Sequence, residues 1–189
     1  MIDPSQTSRA STRRRPRTLR RLMIACLSVT GIVAGTLGAT SIGAGDAAAA
    51  PNGSGHGMCF DINSALARTS AAKVGRDVNG GTFVPYRASN NPISRGCNLD
   101  WMLVNGNGIG DATYQSRVLL FAGGRFLGTV DPKPFGYTSI SGYSPYHVTV
   151  RYRWLLPQDA FCCASGGPTY VTAFQVAGQV FRIGTFPPS

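Results

Sequence analysis

Few side chains of this sequence could serve in acid–base or nucleophilic catalysis. It contains two histidines, His56 and His147, and no glutamate. His147 lies on the polar face of a predicted strand, and His56 lies in a Gly- and Asn-rich segment that would not fix its geometry, so we expect both at the surface. The aspartates after residue 50 are scattered along the chain: Asp61, Asp77, Asp100, Asp111, Asp131 and Asp159. Since no two of them form an evident acid–base couple, we predict no catalytic residues.

A glycine-rich run at residues 105–110 could bind phosphate only in the right structural context. Such a cradle needs a helix that begins directly after the loop and a Lys, Ser or Thr placed to reach the phosphates. Asp111-Ala-Thr-Tyr114 and a strand follow instead. We therefore predict an exposed hairpin loop here and no cofactor-binding site.

Four of the five cysteines, Cys59, Cys97, Cys162 and Cys163, lie after residue 50. An even number of cysteines in an exported domain predicts two disulfides. A bond between the neighbours Cys162 and Cys163 would close a strained eight-membered ring, so we expect each of them to reach separately to Cys59 or Cys97. Adjacent cysteines also chelate one ion poorly in tetrahedral geometry, which argues against a metal site.

The first 50 residues have the order of an export signal. A basic run at residues 13–21 precedes 24 uncharged residues, 22–45, and the Ala-rich segment that ends at Pro51 offers small residues for cleavage. This order is typical of a signal peptide, which is removed after export. We predict a signal peptide over residues 1–50, a flexible leash over 51–57 and a single disulfide-braced β domain over 58–189. The domain is then secreted or associated with the cell envelope.

Three other interpretations of residues 1–50 are a membrane anchor, a lipidation site and a twin-arginine export signal. An uncleaved membrane anchor is disfavoured because many of the 24 uncharged residues are Gly, Ser or Thr. Cys26 follows Met23-Ile24-Ala25 in loose imitation of a lipidation motif, but only four apolar residues precede it, so we expect no lipid there. Arg20-Arg21 loosely fits a twin-arginine signal, and the choice between the two export routes stays open.

The basic character of the chain comes largely from the leader, which carries seven of the 18 Lys and Arg residues. From residue 51 onward 11 basic residues face six aspartates, a net charge of +5. No basic helix, aromatic RNA motif or zinc spacing accompanies this charge, so we predict no nucleic-acid partner.

The pattern after the leader is mostly that of antiparallel strands. A short helix is predicted to be capped by Asp61 and to end at Gly75, and one side of it carries Ile62, Ala65, Leu66 and Thr69. Apolar and polar residues alternate strictly over residues 146–154, which predicts a half-buried strand. Residues 117–121 and 125–130 form a hairpin across Ala122-Gly-Gly124, and both are apolar on both faces, so we expect them to be central strands. Residues 82–87 contain Pro85 and are expected at a sheet edge. Further strands are predicted at residues 99–105, 137–140, 169–176 and 179–183.

These elements predict a mainly β fold with an α+β tendency: about seven antiparallel strands in meander order, with one short N-terminal helix. Its aromatic residues could line a surface that stacks on sugar or lipid, although packing in the core is the simpler expectation. The residues concerned are Phe135, Tyr137, Tyr143, Tyr146 and Tyr152.

Four segments together resemble the LppP/LprE family of actinobacterial cell-envelope lipoproteins. They are residues 99–104 (LDWMLV), 118–129 (VLLFAGGRFLGT), 148–154 (VTVRYRW) and 180–187, within a likeness that covers about residues 59–188. The resemblance implies an exported, envelope-associated protein and supplies no catalytic residues. The sequence departs from the family in lacking an acylated Cys after a full apolar region.

Three functions are compatible with these observations. The first is a non-enzymatic module that binds an envelope lipid, glycan or protein, or a structural module. The second is a secreted hydrolase of envelope glycans or esters with His147 as its base. The third is an inhibitor of a foreign enzyme, with the loop at residues 105–110 as its probe.

Overall fold

The structure is a computed structural model and describes residues 49–188. Nearly all of the predicted signal peptide, with Cys26, lies outside these residues. Within them, no helix combines the length and the apolar character needed to cross a membrane.

One α-helix, α1 (Ala65–Lys73), lies before the first strand. It is capped by Ser64, whose Oγ accepts a hydrogen bond from the backbone N–H of Ala67 at 3.1 Å. Such a cap satisfies one of the donors that the first helical turn leaves unpaired. The predicted cap was therefore wrong: Asp61 accepts instead from the N–H of Asn63, in the turn before the helix.

The face that α1 buries also differs from the predicted stripe. Ala67, Ser70 and Ala71 are its buried residues, whereas Ile62 and Leu66 are only partly buried against the same cluster. The small side chains on this face let the helix approach the sheet closely.

The strands form two antiparallel sheets. The first has the order β1–β2–β3–β4, with β5 paired to β3, and consists of β1 (Phe83–Ala88), β2 (Asp100–Gly106), β3 (Gln115–Ala122), β4 (Arg125–Thr129) and β5 (Phe135–Gly136). The second has the order β6–β7–β8–β9 and consists of β6 (Thr138–Tyr143), β7 (His147–Trp154), β8 (Gly166–Val176) and β9 (Gln179–Gly184). The mainly β fold with one short helix is confirmed, but the described residues hold nine strands in two sheets rather than about seven in one.

Two hydrophobic clusters account for this layered arrangement. One lies between the sheets and includes Trp101, Val118, Val150 and Tyr152. The other lies between the first sheet and α1 and includes Phe121. The first sheet is therefore covered on both faces, and its strands are apolar on both faces for that reason.

The same arrangement corrects the prediction that both strands of the β3–β4 hairpin are central. β3 is central, but β4 lies at the edge of its sheet. β4 is nevertheless apolar on both faces, because Phe126 packs on the cluster under α1 and Leu127 on the cluster between the sheets. The edge position expected for Pro85 is confirmed in β1.

The disulfides pair differently from the prediction. Cys59 is bonded to Cys97, with a Cα–Cα distance of 5.3 Å, and Cys162 is bonded to its neighbour Cys163. The expectation that Cys162 and Cys163 reach separately to the other two cysteines was wrong. Cys162 and Cys163 lie together in the exposed loop between β7 and β8, whereas Cys59 and Cys97 lie next to α1 and β2 in the layer of the first sheet.

Residues 51–57, predicted as a leash, are packed on the domain. The carbonyl of Gly53 accepts from the N–H of Asp61 at 2.7 Å, and Gly55 exchanges two backbone hydrogen bonds with Met58. A Cβ at Gly53 would lie 2.7 Å from the side chain of Leu66, so the backbone fits closely against the helix.

Candidate functional site

An open groove of about 490 Å³ lies where the ends of several elements meet. We name it the Trp154 groove. Its apolar lining comes from the segment that carries β5, from the end of β7 and from the C-terminal residues, and includes Phe135, Tyr137, Trp154, Leu155 and Pro187. Aromatic lining with a few polar groups at the rim is the usual composition of a binding site.

Trp154 lies in this groove because two glycines lie against its indole. A Cβ at Gly166 would be 2.5 Å from Nε1 of Trp154, and one at Gly167 would be 2.7 Å from its Cζ3. Only glycine lets the backbone of β8 approach the ring so closely. Trp154 stays partly exposed, whereas Trp101, the other tryptophan of the chain, is fully buried.

Tyr137 reaches the same groove from a strained backbone. Its φ angle of 48° lies in the left-handed region, which bulky residues rarely adopt. Strain of this kind costs on the order of 1 kcal/mol and is concentrated at ligand sites. The Tyr137 hydroxyl donates to the carbonyl of Phe161, which holds the ring in place. Partial burial, together with the carboxylates of Asp111 and Asp159, raises the pKa of Tyr137, so its hydroxyl remains a donor.

The rim of the groove is polar. The Lys133 ammonium lies 5.6 Å from the centre of the Phe135 ring, and Nη1 of Arg153 donates to the carbonyl of Ala164 at 3.1 Å. The carboxylate of Asp159 lies close by. It accepts hydrogen bonds from the backbone N–H groups of Leu156 and Ser165 and from the Ser165 hydroxyl. The groove thus combines an apolar floor with positively charged donors at its rim.

The Trp154 groove and three further surface depressions, of about 190 to about 490 Å³, are open to solvent. The space between the sheets is filled by side chains such as Trp101 and Tyr152, which have no exposed surface. An open groove holds a ligand along the surface and leaves part of it in water. The geometry therefore suits an extended polar chain better than an enclosed acyl chain.

The predicted aromatic residues divide between the core and the surface. Tyr152 and Phe135 are buried, and Tyr143 packs edge-on against Trp101 with 5.2 Å between ring centres. Tyr146 is exposed in the turn before β7. Of this set, Phe135 and Tyr137 line the Trp154 groove. Sequence reasoning did not select Trp154, because the two glycines that its indole contacts, Gly166 and Gly167, lie in another strand.

Asp131, one of the scattered aspartates, is buried between the sheets. Its Oδ2 accepts from the N–H of Val118 at 2.7 Å, and its Oδ1 accepts from the Tyr152 hydroxyl. Arg117 donates to its backbone carbonyl at 3.0 Å. Burial raises the pKa of Asp131 to about 6, although both hydrogen bonds and the charge of Arg117 act in the opposite direction. The carboxylate connects β3 to β7 and has the geometry of a structural tie.

Asp100 is a second buried carboxylate, at the start of β2. It accepts from the Ser89 hydroxyl at 2.8 Å and from Nδ2 of Asn91 at 3.0 Å, and burial raises its pKa. Its oxygens lie within 4.8 Å of the sulfurs of Cys59 and Cys97. Because these sulfurs are bonded to each other, the cluster is a disulfide beside a hydrogen-bonded carboxylate.

His147 contacts a serine in an exposed turn. Its Nδ1 lies 2.8 Å from Oγ of Ser144, which also accepts from the N–H of Tyr146. A catalytic arrangement needs a third group that orients the base. Among residues 49–188, no carboxylate hydrogen-bonds to His147, and the turn lines none of the four depressions. The pair therefore has the features of a side-chain-stabilised turn. His56 lies beside the smallest depression, with a φ of 53°.

The glycine-rich loop at residues 105–110 is held by Asp77. The Asp77 Oδ1 accepts from the N–H groups of Asn79 and Gly81, and its Oδ2 accepts from that of Gly108 at 2.7 Å. These bonds hold the pKa of Asp77 below its ordinary value, and the bond from Gly108 has the largest effect on that pKa. The carboxylate of Asp77 thus fixes the loop at Gly108.

We expect Asp77→Asn to release this loop at Gly108. Oδ2 accepts from Gly108 alone, so an amide nitrogen there would face another donor. Amide hydrogen exchange at Gly108 should become several-fold faster, while Asn79 and Gly81 keep the acceptor Oδ1. Asp111→Asn is the matched control, since Asp111 binds Thr113 through Oδ1 only. Unchanged exchange at Gly108 would show that Asp77 does not fix the loop.

The fold and the groove together define a small mainly β domain, covered by one helix and braced by disulfides, with an open aromatic site on its surface. Residues 94–179 match the family model described as LppP/LprE lipoprotein. This match supports the LppP/LprE lipoprotein family that the sequence resembles. No curated protein and no solved structure matches the chain.

The match is narrower than the likeness seen in the sequence. It includes Tyr137, Trp154, Gly166 and Gly167 but neither α1 nor the C-terminal residues of the groove. The match supports an envelope lipoprotein-type protein.

Proposed function

We propose that this domain is a non-enzymatic binding module of the cell envelope that holds a segment of an envelope glycan in the Trp154 groove. The observation that carries the proposal is the way in which the backbone places two aromatic rings at an open groove. One ring is held by a strained backbone angle and the other lies against a pair of glycines. Tyr137 is held at a φ of 48°, and Trp154 lies on the glycine pair Gly166 and Gly167. Backbone strain persists where the surrounding structure enforces it, commonly at ligand sites.

The chemistry of the groove supports a glycan ligand. A sugar ring has an apolar face of C–H groups, which can stack on the face of an aromatic ring, and hydroxyls at its edge that hydrogen-bond to polar side chains. The groove offers both, with Trp154 and Tyr137 on its floor and Gln115, Lys133 and Arg153 at its rim. A lipid tail would leave apolar surface in water in such an open site, which the hydrophobic effect disfavours.

The two tryptophans allow a direct test. Trp154 is partly exposed in the groove and Trp101 is buried, so a ligand should change the fluorescence of Trp154 alone. We expect titration with soluble oligosaccharides released from purified cell envelope to shift the emission in a saturable way. In the variant Trp154→Phe the remaining emission from Trp101 should not respond.

Affinity in the same titration is expected to depend on Tyr137. Loss of one stacked ring and its buried area should weaken binding by about tenfold in Tyr137→Ala, measured by calorimetry. Tyr146→Ala is the matched control, because Tyr146 is 64% exposed and lies outside the groove. Equal affinity of Tyr137→Ala and the unmodified protein would contradict the proposal, as would the absence of binding to every oligosaccharide fraction.

The same experiment distinguishes a binding module from a hydrolase. Release of new reducing ends during the incubation, abolished by His147→Ala, would replace the binding module by an enzyme that uses the Ser144–His147 pair.

A further inference from the structure

The outer face of the second sheet carries exposed apolar residues. Along β7 and β8, Val148, Val150, Val171 and Ala173 point into the core, so the residues between them point outward. The hydroxyls of Thr149 and Thr172 lie 2.9 Å apart and mark neighbouring outward positions on the two strands. We name this surface the β7–β9 face; its larger outward residues are His147, Arg151, Tyr170, Phe174, Phe181 and Ile183.

The apolar part of the β7–β9 face is contiguous across two paired strands. Phe174 on β8 pairs with Phe181 on β9, and their rings stack with 5.6 Å between centres. Ile183 is 67% exposed, and Phe181 and Tyr170 are each 45% exposed. Neighbouring large apolar side chains in water indicate an interaction surface.

The same face carries a positive charge. Arg151 on β7 lies opposite Tyr170. The four strands β6–β9 contain neither Asp nor Glu. Two copies of this face in contact would bring like charges together, so charge complementarity favours an anionic partner.

The shape of the face favours a lipid surface over an acidic protein. Protein interfaces concentrate their affinity in side chains that fill pockets. None of the four depressions described above is lined by Tyr170, Phe174 or Phe181, so these aromatic residues stand on the sheet surface outside them. Protein surfaces that bind at the boundary between lipid headgroups and acyl chains carry aromatic and aliphatic side chains next to cations.

We propose that the β7–β9 face docks on an anionic lipid surface, with Phe181, Ile183 and Tyr170 at the headgroup boundary and Arg151 facing the phosphates. The site is separate from the Trp154 groove, so one surface holds the module on the membrane while the groove remains open to its ligand.

Vesicle sedimentation tests the proposal with purified protein. We expect binding to vesicles of equal parts phosphatidylcholine and phosphatidylglycerol, weaker binding at high salt, and little binding to phosphatidylcholine alone. The double variant Phe181→Ser/Ile183→Ser should reduce binding by at least about tenfold, because two exposed apolar side chains no longer enter the interface. Arg151→Gln should reduce it by about fivefold, the effect of one cation near an anionic surface.

Matched controls keep the result interpretable. Val84→Ser/Tyr86→Ser removes two exposed apolar side chains from β1, in the other sheet, and should bind as the unmodified protein does. Any contribution of the first 45 residues is the same in all variants. Unchanged thermal unfolding and unchanged oligosaccharide affinity of Phe181→Ser/Ile183→Ser would show that the fold and the groove are intact.

Three results would overturn the proposal: equal vesicle binding by the unmodified protein and Phe181→Ser/Ile183→Ser, dimerisation through this face without vesicle binding, or binding to soluble acidic proteins but not to vesicles. None of them would affect the glycan titration, so failure here is distinguishable from failure of the proposed function.

Discussion

Removal of the Cys59–Cys97 disulfide is expected to lower the free energy of unfolding by about 4 kcal/mol, the chain-entropy value for a closed loop of this length. The bond joins residues 38 positions apart and encloses α1 and β1, so it restricts the part of the unfolded chain that forms the helix layer. The double variant Cys59→Ala/Cys97→Ala avoids an unpaired thiol. Urea unfolding at neutral pH measures the change.

The second disulfide provides an internal control. Cys162 and Cys163 are adjacent, so their bond closes no loop of chain and should add little stability by the same mechanism. We expect Cys162→Ala/Cys163→Ala to change the free energy of unfolding by less than about 0.5 kcal/mol, the usual range for exposed positions. Equal losses in the two double variants would show that loop closure does not explain the contribution of Cys59–Cys97.

The second large effect is a loss of stability as the pH rises, caused by Asp131. Its folded-state pKa of about 6 lies above the ordinary value of 3.8, because burial disfavours the charged carboxylate. The folded state therefore binds the proton more tightly than the unfolded state. The stabilisation is complete below the unfolded pKa and is lost as the pH rises through the folded pKa, an expected fall of roughly 3 kcal/mol between pH 3 and 7.

Unfolding in urea at a series of pH values, for the unmodified protein and Asp131→Asn, isolates this effect. Asp100, whose pKa is also raised by burial, contributes to the slope in the same direction in both proteins, so the difference between the two curves reports Asp131. Tyr152→Phe should displace the fall to higher pH, because it removes a hydrogen bond that favours the ionised carboxylate. Parallel curves for the unmodified protein and Asp131→Asn would exclude Asp131 as the cause.

These two stabilising features lie apart from the residues assigned to binding. The Cys59–Cys97 bond braces the side of α1, and Asp131 connects β3 to β7, whereas Trp154 and Tyr137 lie where strands end. Rigid elements that hold a site at their ends are a common arrangement, since the ends can vary while the packed strands are conserved in geometry. Stability and binding should therefore respond to different substitutions.

The strands of the second sheet could be read from the sequence because their pattern is local. Val148, Val150 and Tyr152 alternate with polar residues, and β7 was found where this alternation occurs. The strands predicted at residues 169–176 and 179–183 likewise correspond to β8 and β9, which pair as a hairpin. Successive residues of a strand face opposite sides, so one buried face leaves a period of two in the sequence.

The candidate site was only partly accessible to such reasoning. Aromatic residues were recognised as possible ligand contacts, and Tyr137 was among them, but it was assigned to a strand rather than to a strained position before β6. Trp154 was treated as part of the packed face of β7, although it lines the groove. The backbone angle of Tyr137 and the contact of Trp154 with Gly166 depend on neighbours distant in sequence.

The sequence by itself determined the mainly β class, the helix before the first strand, the positions of most strands and the resemblance to a family, because each of these depends on residue types a few positions apart. Only the tertiary structure decided that the strands divide into two sheets, that Cys59 pairs with Cys97, that Asp131 is buried and that Tyr137 and Trp154 share a groove. These features are contacts between segments far apart in the chain, and their free energies depend on packing and solvent exclusion that no local pattern records.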